Sequence, residues 1–459
     1  MKHNRGSATI MVMIVAMVFS IMLGGLVLFG TTQFNATIRG SAHKKALMLA
    51  EAGIQYYRWH LAHDPDDFQD GTGAPGPYIH NYSDPQGGVE GTFALSITEP
   101  GAGSTIVEII STGQDDASGV KRTIKTLFGK PSLAEYAYLH NSNAWFGTGT
   151  TVNGKVMSNG GIRQDGVNTS TIQSAKETYT CGSETGCSPS ETKSGIWGSG
   201  GPDNLWEYPV SPVDFDGISV DFSEIKTAAQ NEGTYFGPSG NQGYHFEFKD
   251  DGTVDVFRVN NTGWRRGYSD EEGCERLYER ISNESLVGNY SLASKHIFFA
   301  EDTVWVNGIV SGRATVVAAR FPLDTNETDI WIHDNLVYDA KDGTNALGVI
   351  SEDDIFFALD LPQILEVDAA LLAQGGRVFR HHYSTSGCGN YGNAVRDQLV
   401  IYGSVISNQK AAWNWGSGPS SGFTERNITY DSNFYLAPPP YFPTGDVYEF
   451  LSWEEVSNP

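Results

Sequence analysis

Basic side chains are scarce in this sequence of 459 residues. Lys and Arg number 30 against 54 Asp and Glu, which gives a formal net charge of −24. Nucleic-acid phosphates would be repelled by that charge, so the composition argues against a nucleic-acid partner. Hydrophobic residues make up 39% of the chain and charged residues 18%, a balance typical of globular rather than disordered proteins.

Two well-known motifs of functional sites are also lacking. Neither the zinc-protease pattern H-E-x-x-H nor the phosphate-binding pattern G-x-x-x-x-G-K-[ST] occurs. Residues 71–76 spell G-x-G-x-x-G, but no strand pattern precedes them and Pro75 lies where a helix would have to begin. We therefore expect no nucleotide site and no enzymatic activity.

Charged side chains are absent from residues 7–38. This run is long enough to cross a hydrocarbon core of ~30 Å, which takes about 20 residues. The C-terminal end of the run lacks an A-x-A type site, where a signal peptidase would cut, which argues against an ordinary secretory signal peptide. Lys2 and Arg5 precede the run, so the N-terminus is expected in the cytoplasm and the remainder of the chain outside.

The helix is predicted to continue beyond the membrane. Apolar residues recur at steps of three and four and form an amphipathic stripe: Phe34, Ile38, Ala42, Ala46, Ala50, Ile54, Tyr57 and Leu61. Pro65 is a plausible stop, since proline cannot continue a helix. A transmembrane and amphipathic helix over residues 7–62 follows, with its second half packed on a soluble domain.

The N-terminal region resembles that of type IV pilin-like proteins. The likeness rests on residues 5–11 (RGSATIM), on the charge-free helix and on residues 45–53 (KALMLAEAG), which are similar to a segment of PilX-like minor pilins. The resemblance implies a prepilin leader over residues 1–6, cut by prepilin peptidase between Gly6 and Ser7. It also implies insertion in the inner membrane and then, through the helix, association with other pilin subunits in an extracellular filament.

One residue departs from the pilin pattern. Most pilins carry Glu at the fifth mature position, where it sets the register of the subunit in the filament; that position here is Met11. The departure favours a minor or tip subunit over a bulk shaft subunit. An uncleaved single-pass membrane anchor is the alternative.

A small sheet is predicted to follow the helix. Residues 64–90 are rich in Asp, Gly, Pro and Asn and indicate a loop. Residues 91–98, 105–112 and 120–128 alternate in part between apolar and polar, and each segment is bounded by Gly, Pro or Asp. A three-stranded antiparallel meander on the helix is the expected pilin-like domain, spanning residues 63–130.

Short apolar triplets broken by Gly, Asn or Ser recur from Pro131 onward. Residues 152–159 (VNGKVMSN) are echoed at 306–312 (VNGIVSG) and at 401–408 (IYGSVISN). No two-residue turn joins these segments, and the step from Val349 to Leu371 fits one rung of a parallel β-helix, for which we expect a period of ~20–25 residues. The fold class is therefore mainly β with a long N-terminal helix, a small antiparallel sheet and then a parallel β-helix; a β-sandwich is the alternative.

The β-helix head is assigned to residues 131–162 and 291–445. Residues 163–290 interrupt its pattern and are interpreted as an insertion subdomain, in which residues 244–248 and 253–259 indicate a hairpin and residues 270–282 a helix. Residues 446–459 are left as a tail. The segments 368–374, 401–404 and 430–443 resemble the end of β-helical modules found on PilX-like proteins.

Cysteine is rare, with four residues in the chain. Cys181 and Cys187 bracket a short polar loop, which favours a disulfide in an oxidising compartment. Pairing of Cys274 with Cys388 cannot be tested from the sequence. The spacing of the first two cysteines, without paired His nearby, is a poor zinc pattern.

Metal and cofactor candidates are few. Asp250, Asp251 and Asp255 are weak calcium candidates beside the glycine at 252, because they do not complete an EF-hand loop; turn-forming Asp is the default interpretation. His381 and His382 are adjacent, and neighbouring residues of a strand point to opposite faces, so joint metal binding is disfavoured. No cofactor is expected apart from calcium at those aspartates.

The sequence thus predicts a minor or tip subunit of a type IV pilus-like filament. Its head would serve adhesion or the priming of assembly, with an unknown surface ligand. The competing hypothesis is a single-pass, membrane-anchored surface protein that binds or cleaves polysaccharide. Exposed members of the ten tryptophans could stack on sugars in that case, whereas buried ones would pack the head.

Overall fold

The chain folds into two compact units. The structure is a computed structural model, and it describes residues 7–85, 87–215, 222–323, 325, 327–416, 420–445 and 447–457. Unit 1 comprises the chain up to Pro100, residues 106–129 and the residues from Glu449 onward. Unit 2 comprises residues 101–105 and 130–448. Most of the chain is β, with one long N-terminal helix.

The helix of unit 1, α1, spans Ser7–His63, which confirms the prediction of one long N-terminal helix. Its 57 residues extend about 85 Å at ~1.5 Å per residue. Its buried face consists of Ala42, Ala46, Leu49, Ala50, Ile54, Tyr57 and Leu61. Phe34 and Ile38, which the sequence placed on the same stripe, are exposed, so the packed half of α1 begins at Ala42.

Four strands follow α1 and form an antiparallel meander: β1 (Tyr78–Ser83), β2 (Val89–Thr98), β3 (Val107–Asp115) and β4 (Lys121–Gly129). The three predicted strands are β2, β3 and β4, and β1 lies in the segment predicted as a loop. Backbone packs closely on backbone here: a Cβ added at Gly113 would lie 2.1 Å from the Ala46 carbonyl oxygen and 2.3 Å from the Ala50 nitrogen. The small residues on α1 therefore allow the helix to lie directly on β3.

Unit 2 contains a second helix, short 3-10 turns and many short strands. The helix α2 is Phe222–Asn231, and the 3-10 turns are Leu133–Glu135, Ser183–Thr185, Asp203–Leu205 and Ser432–Tyr435. The strands are β5 (Tyr138–His140), β6 (Ala144–Phe146), β7 (Thr150–Asn153), β8 (Val156–Ser158), β9 (Ile162–Gln164), β10 (Val167–Asn168), β11 (Ile172–Ser174), β12 (Thr178–Cys181), β13 (Glu191–Ser194), β14 (Ile196–Trp197), β15 (Trp206–Glu207), β16 (Thr234–Phe236), β17 (Gly243–Phe248), β18 (Thr253–Ser269), β19 (Gly273–Ser291), β20 (Ile297–Ala300), β21 (Val304–Val310), β22 (Arg313–Ala318), β23 (Ile330–Tyr338), β24 (Ala346–Ser351), β25 (Ile355–Phe357), β26 (Ile364–Ala373), β27 (Val378–Phe379), β28 (Ser384–Thr385), β29 (Cys388–Asn390), β30 (Val395–Ser407), β31 (Asn414–Trp415) and β32 (Ser421–Tyr430).

Parallel pairs dominate the large sheet of unit 2. Val349 pairs with Leu371, as the repeat spacing predicts, and this ladder extends through Val316 on one side and through Val405 and Tyr138 on the other. All these side chains are buried in one core. Antiparallel pairs also occur, such as β17 with β18 and β31 with β32, so the sheet is mixed.

The order of strands in this sheet is not the order along the chain. The first strand of unit 2, β5, pairs with β30, which lies more than 250 residues later in the sequence. The stretch 163–290, predicted as an insertion, contains strands of the same parallel ladders. β11 pairs with β8, whereas β16 and β17 pair with β20 and β21.

A glycine with positive φ explains the short sequence motif that recurs at residues 152–159, 306–312 and 401–408. Gly154, Gly308 and Gly403 occupy equivalent places in the three copies and have φ values of +143°, +112° and +148°. A Cβ added at Gly403 would also lie 2.0 Å from the Ala369 carbonyl oxygen. The repeat therefore conserves a backbone conformation that other residues rarely adopt.

A long antiparallel hairpin, β18–β19, lies on the outer face of the parallel strands. The helix predicted over residues 270–282 is wrong, because these residues belong largely to β19. Leu277, Glu279 and Ile281 alternate inward, a period of two that side-chain burial against the parallel strands enforces. Local helix propensity was therefore overridden by tertiary packing.

The C-terminal strand β33, Glu449–Val456, belongs to unit 1. It pairs antiparallel with β4, and Glu449 opposes Gly129 at the start of that ladder. The residues predicted as a tail, 446–459, thus contribute the fifth strand of the sheet whose order is β1-β2-β3-β4-β33. Phe450 packs on Phe128, with ring centroids 5.1 Å apart.

Candidate functional site

The first half of α1 is an uncovered apolar surface. Its large side chains are at least half exposed in the chain, for example Met11 (70%), Leu23 (55%) and Phe29 (66%). The most apolar window of 18 residues has a mean hydropathy of 2.7, so the helix is long and apolar enough to cross a membrane. A signal sequence near the N-terminus meets the same criterion.

The predicted processing site is described in part. Ser7 is the first residue of α1, whereas Gly6 lies outside the described residues. Met11, the proposed register position, is on the exposed apolar surface one turn farther along the helix. Its thioether can bury in lipid or against another helix, but it cannot form the ion pair that a carboxylate at this position would form.

All four cysteines are joined in disulfides. Cys181 bonds to Cys187 at the end of β12, and Cys274 at the start of β19 bonds to Cys388 in β29. The first bond closes a short surface loop. The second connects the outer hairpin to a loop 114 residues later in the chain, a pairing that the sequence alone left open.

The calcium candidates do not form a cluster. Asp255 is paired with Lys249 at 2.8 Å and accepts a hydrogen bond from Asn289, and this lysine contact lowers its pKa. Asp251 accepts hydrogen bonds from the backbone and hydroxyl of Thr253. Asp250 is exposed. These contacts are those of aspartates that stabilise the turn between β17 and β18.

A different carboxylate group lies closer together. Asp329, Asp353 and Asp354 each offer an oxygen within 4.8 Å of the others, the one such group of three among the described residues. Burial, followed by repulsion between the neighbouring carboxylates, raises the pKa of Asp329 and Asp353. Arg377 donates its backbone N–H to Asp354 and places its guanidinium 3.9 Å away.

The two adjacent histidines lie between β27 and β28 and contact different residues. His381 is buried and contacts Glu275, whereas His382 stacks on Trp415 and lies 2.9 Å from the Ser420 hydroxyl. Residues 418–422 spell G-x-S-x-G around that serine. The serine lies between two strands rather than on a strand-to-helix turn, and 417–419 are outside the described residues, so the arrangement lacks the context of a nucleophile elbow.

An aromatic column lies beneath the outer hairpin. Trp305 pairs with Trp331, Trp331 with Phe356 and Phe356 with Phe379 along successive parallel strands. All four are buried and pack with Leu277 of the hairpin. Trp305 and Trp331 are therefore core residues and cannot stack on a ligand at the surface, whereas Trp145 and Trp264 are exposed.

Glu279 is the acidic residue most deeply buried beside this column, with 1% of its surface exposed. Tyr383 donates its hydroxyl to the carboxylate at 2.5 Å, and the Leu359 N–H donates to it at 3.2 Å. Burial raises the pKa of Glu279 to about 7, although the Tyr383 hydrogen bond and Arg380 act in the opposite direction. The carboxyl group can therefore be neutral near physiological pH.

A cavity of about 230 Å³ adjoins this carboxyl group. It is lined by Glu279, Arg280, Ile281, His333, Ala358 and Asp360. These residues come from three separate stretches of the chain, around 280, 333 and 359, so no sequence motif unites them. The alternation of Leu277, Glu279 and Ile281, an acid between two apolar residues, was the one local signal.

Comparison with known proteins gives limited information. No protein-family model matches the chain. No curated protein matches it either. Among solved structures it is similar to the competence-associated pilin ComZ from Thermus thermophilus, with 15% identity and a TM-score of 0.33 over 90% of this chain and 97% of that chain. A likeness at this score does not determine the fold or the function of this chain.

Proposed function

We propose that this chain is a minor or tip subunit of a type IV pilus-like filament. The observation that carries the proposal is the division of α1 at Ala42. Before that residue the helix is exposed on every side and free of charge through Ile38, with Arg39 as its first charged side chain; after it, one face is buried against the antiparallel sheet. One helix thus serves two environments.

The exposed half of α1 requires an apolar partner. Burying a large aliphatic or aromatic side chain stabilises by roughly 1.5–3 kcal/mol, and the residues from Ile10 to Phe29 present more than a dozen such side chains. A lipid bilayer can cover them before assembly. The helices of other pilin subunits can cover them after assembly. Both environments are expected for a pilin subunit that starts in the inner membrane and later enters an extracellular filament.

Unit 2 is, in this proposal, a parallel β-helix that forms the displayed head. Buried residues align through successive parallel pairs, including Leu336 with Val367, Val367 with Ile401 and Ile401 with Ile428. Such continuous stacks, turned at glycine corners, are the packing pattern of a coiled parallel sheet. A stiff solenoid suits adhesion or the priming of assembly, roles that need no enzymatic activity.

Met11 supports a minor or tip position for the subunit. A carboxylate at the fifth mature residue would register a shaft subunit against its neighbour, and Met11 lacks that charge. A subunit at the tip has no neighbour above it with which to register.

The proposal is tested at the N-terminus. In cells that contain prepilin peptidase, mass spectrometry of the purified chain should find Ser7 as its first residue. Gly6→Val should leave the chain intact at Met1, because the branched side chain replaces the glycine at the cut. Gly24→Val is the matched control: it lies in the apolar helix with open space around it, so processing should be normal.

A second measurement distinguishes the pilin proposal from the competing hypothesis of a membrane-anchored surface protein. A processed chain should co-sediment with filaments sheared from the cells, in substoichiometric amount. An intact Met1 in peptidase-competent cells, with the chain retained in the membrane, would contradict the pilin proposal and support a single-pass anchor for a surface protein.

A further inference from the structure

The cavity beside Glu279 has polar groups that the protein leaves available. His333 lines it, and no hydrogen bond joins its imidazole to another described residue; its ring contact is His245, at 4.9 Å between centroids. Burial and then His245 lower the pKa of His333 to about 3, so the ring is neutral. A neutral imidazole offers one donor and one acceptor.

Two carboxyl groups face the same space from different elements. Glu279 comes from the outer hairpin and is held by Tyr383 and the Leu359 N–H. Asp360 follows β25; it accepts from Asn393 at 2.7 Å and lies 3.3 Å from Arg265. Each carboxyl group is thus positioned by other residues and retains capacity for a further hydrogen bond.

A β-bulge lies at this point of the hairpin. Gly263 opposes Arg280 and Arg265 opposes Leu277, so Tyr278 and Glu279 face the single residue Trp264. Bulges re-aim side chains and are frequent beside functional sites. The irregularity therefore coincides with the carboxyl group that borders the cavity.

Size and lining limit the ligand. About 230 Å³ is below the ~300–1,000 Å³ of pockets for drug-sized ligands, so one small ring is accommodated. Ile281 and Ala358 are the apolar members of the lining. Among the described residues, the three-carboxylate group suited to a metal is a different one. The lining sets one cation, Arg280, against the carboxyl groups of Glu279 and Asp360, which disfavours an anionic ligand.

We propose that this cavity binds one pyranose-sized sugar ring. Glu279, Asp360 and His333 would hold its hydroxyl groups, and Ile281 with Ala358 would contact its C–H face. The inference concerns binding alone and includes no bond cleavage. It goes beyond the filament proposal and does not depend on it, because the site is built entirely from residues of unit 2.

The test uses the full chain in a detergent without a sugar headgroup. Saturation-transfer NMR is recorded with glucose, galactose, mannose and N-acetylglucosamine, and with disaccharides of each. At least one sugar should receive saturation and bind with a millimolar or lower Kd. A free monosaccharide that binds as well as its disaccharide identifies a single-ring ligand; a stronger disaccharide identifies a unit of a glycan chain.

Two variants locate the site. His333→Phe removes both hydrogen-bonding nitrogens and should weaken binding about tenfold, the effect of losing one or two hydrogen bonds. His296→Phe is the matched control, since this half-buried histidine of unit 2 bonds to the Arg313 carbonyl group away from the cavity. Ile281→Trp should fill the cavity and abolish binding, with Tm measured for each variant to verify folding.

The proposal is overturned by any of three results. Wild-type protein could bind none of these sugars. His333→Phe and His296→Phe could bind equally. A folded Ile281→Trp variant could bind as the wild type does. None of these results bears on whether the N-terminus is processed, so failure here is distinguishable from failure of the filament proposal.

Discussion

Buried ionisable side chains set the chemistry of unit 2 at the scale of single residues. Glu279 of the outer hairpin lies beside Tyr383 and Arg380, and each of the three is almost fully buried. The Arg380 guanidinium donates to backbone carbonyl groups rather than to the carboxylate, for example to Leu359. Burial therefore raises the pKa of Glu279, and the hydrogen bond from Tyr383 and the charge of Arg380 offset this rise only in part.

Glu279 should make the stability of unit 2 depend on pH. Its folded pKa of about 7 lies above the ordinary value of 4.5. The protonated carboxyl group contributes its whole share to the free energy of unfolding below pH 4.5. This contribution is lost as the pH rises from there through about 7. Complete ionisation costs on the order of 3 kcal/mol. Glu279→Gln keeps the shape without the charge, so it should flatten the fall of Tm between about pH 5 and about pH 8.

The matched control is Glu275→Gln on the same strand. Glu275 is half-buried at the hairpin surface beside His381. Thermal unfolding followed by circular dichroism across this pH range is the measurement. A Glu279→Gln variant whose Tm falls with pH as steeply as that of the wild type would contradict the assignment.

The outer hairpin is the element on which the cavity depends. Its strands have 17 and 19 residues, and β19 pairs with β18 alone among the described strands. One face packs on the aromatic column, and the Cys274–Cys388 bond fixes the end near its turn. Packing and a covalent link together hold Glu279 in place.

The two disulfides should differ in their contribution to stability. The chain-entropy estimate for a closed loop is about 5 kcal/mol for the Cys274–Cys388 bond, which spans 114 residues, and about 2 kcal/mol for the bond between Cys181 and Cys187, which spans 6. Cys274→Ala/Cys388→Ala should therefore lower the free energy of unfolding more than Cys181→Ala/Cys187→Ala. Denaturant unfolding of both double variants checks the order, and equal losses would contradict it.

Element boundaries could be predicted where the local pattern and the tertiary fold agree. The helix α1 and strands β2 to β4 followed from hydrophobic periodicity and from turn residues. Residues 270–282 were misassigned, because their acids and Leu277 read equally well as helix until the packing of alternate side chains is known. The strand β33 was missed because its partner, β4, is more than 300 residues earlier in the chain.

The whole molecule should be held in the membrane by the first half of α1. Leu23→Arg introduces a charge near the middle of the apolar run, at a cost of roughly 2.5–3.5 kcal/mol in the bilayer. It should shift the chain from the membrane fraction to the soluble or degraded fraction. Met48→Arg is the control: Met48 is also exposed, at 68% against 55% for Leu23, but lies on the packed half of the helix. Carbonate extraction of membranes measures the difference, and equal retention of both variants would contradict the division at Ala42.

The large-scale arrangement was only partly predictable. The spacing from Val349 to Leu371 correctly predicted that these residues pair on neighbouring parallel strands. This was possible because the spacing of aliphatic and glycine residues can be read from the local sequence. The pairing of β5 with β30 could not be predicted, because nothing in either short segment specifies its partner. The cavity could not be predicted for the same reason: Glu279, His333 and Asp360 become neighbours only after these long-range pairings form.

The pairing of Gly129 with Glu449 gives the molecule a modular architecture. The chain leaves the antiparallel sheet at Gly129 and re-enters it directly opposite, at Glu449. Topologically, residues 130–448 thus occupy the position of a hairpin loop between β4 and β33. The residues between β4 and β33 can change in length and in fold without altering the register of these two strands, which makes this junction a natural point for exchanging one domain for another.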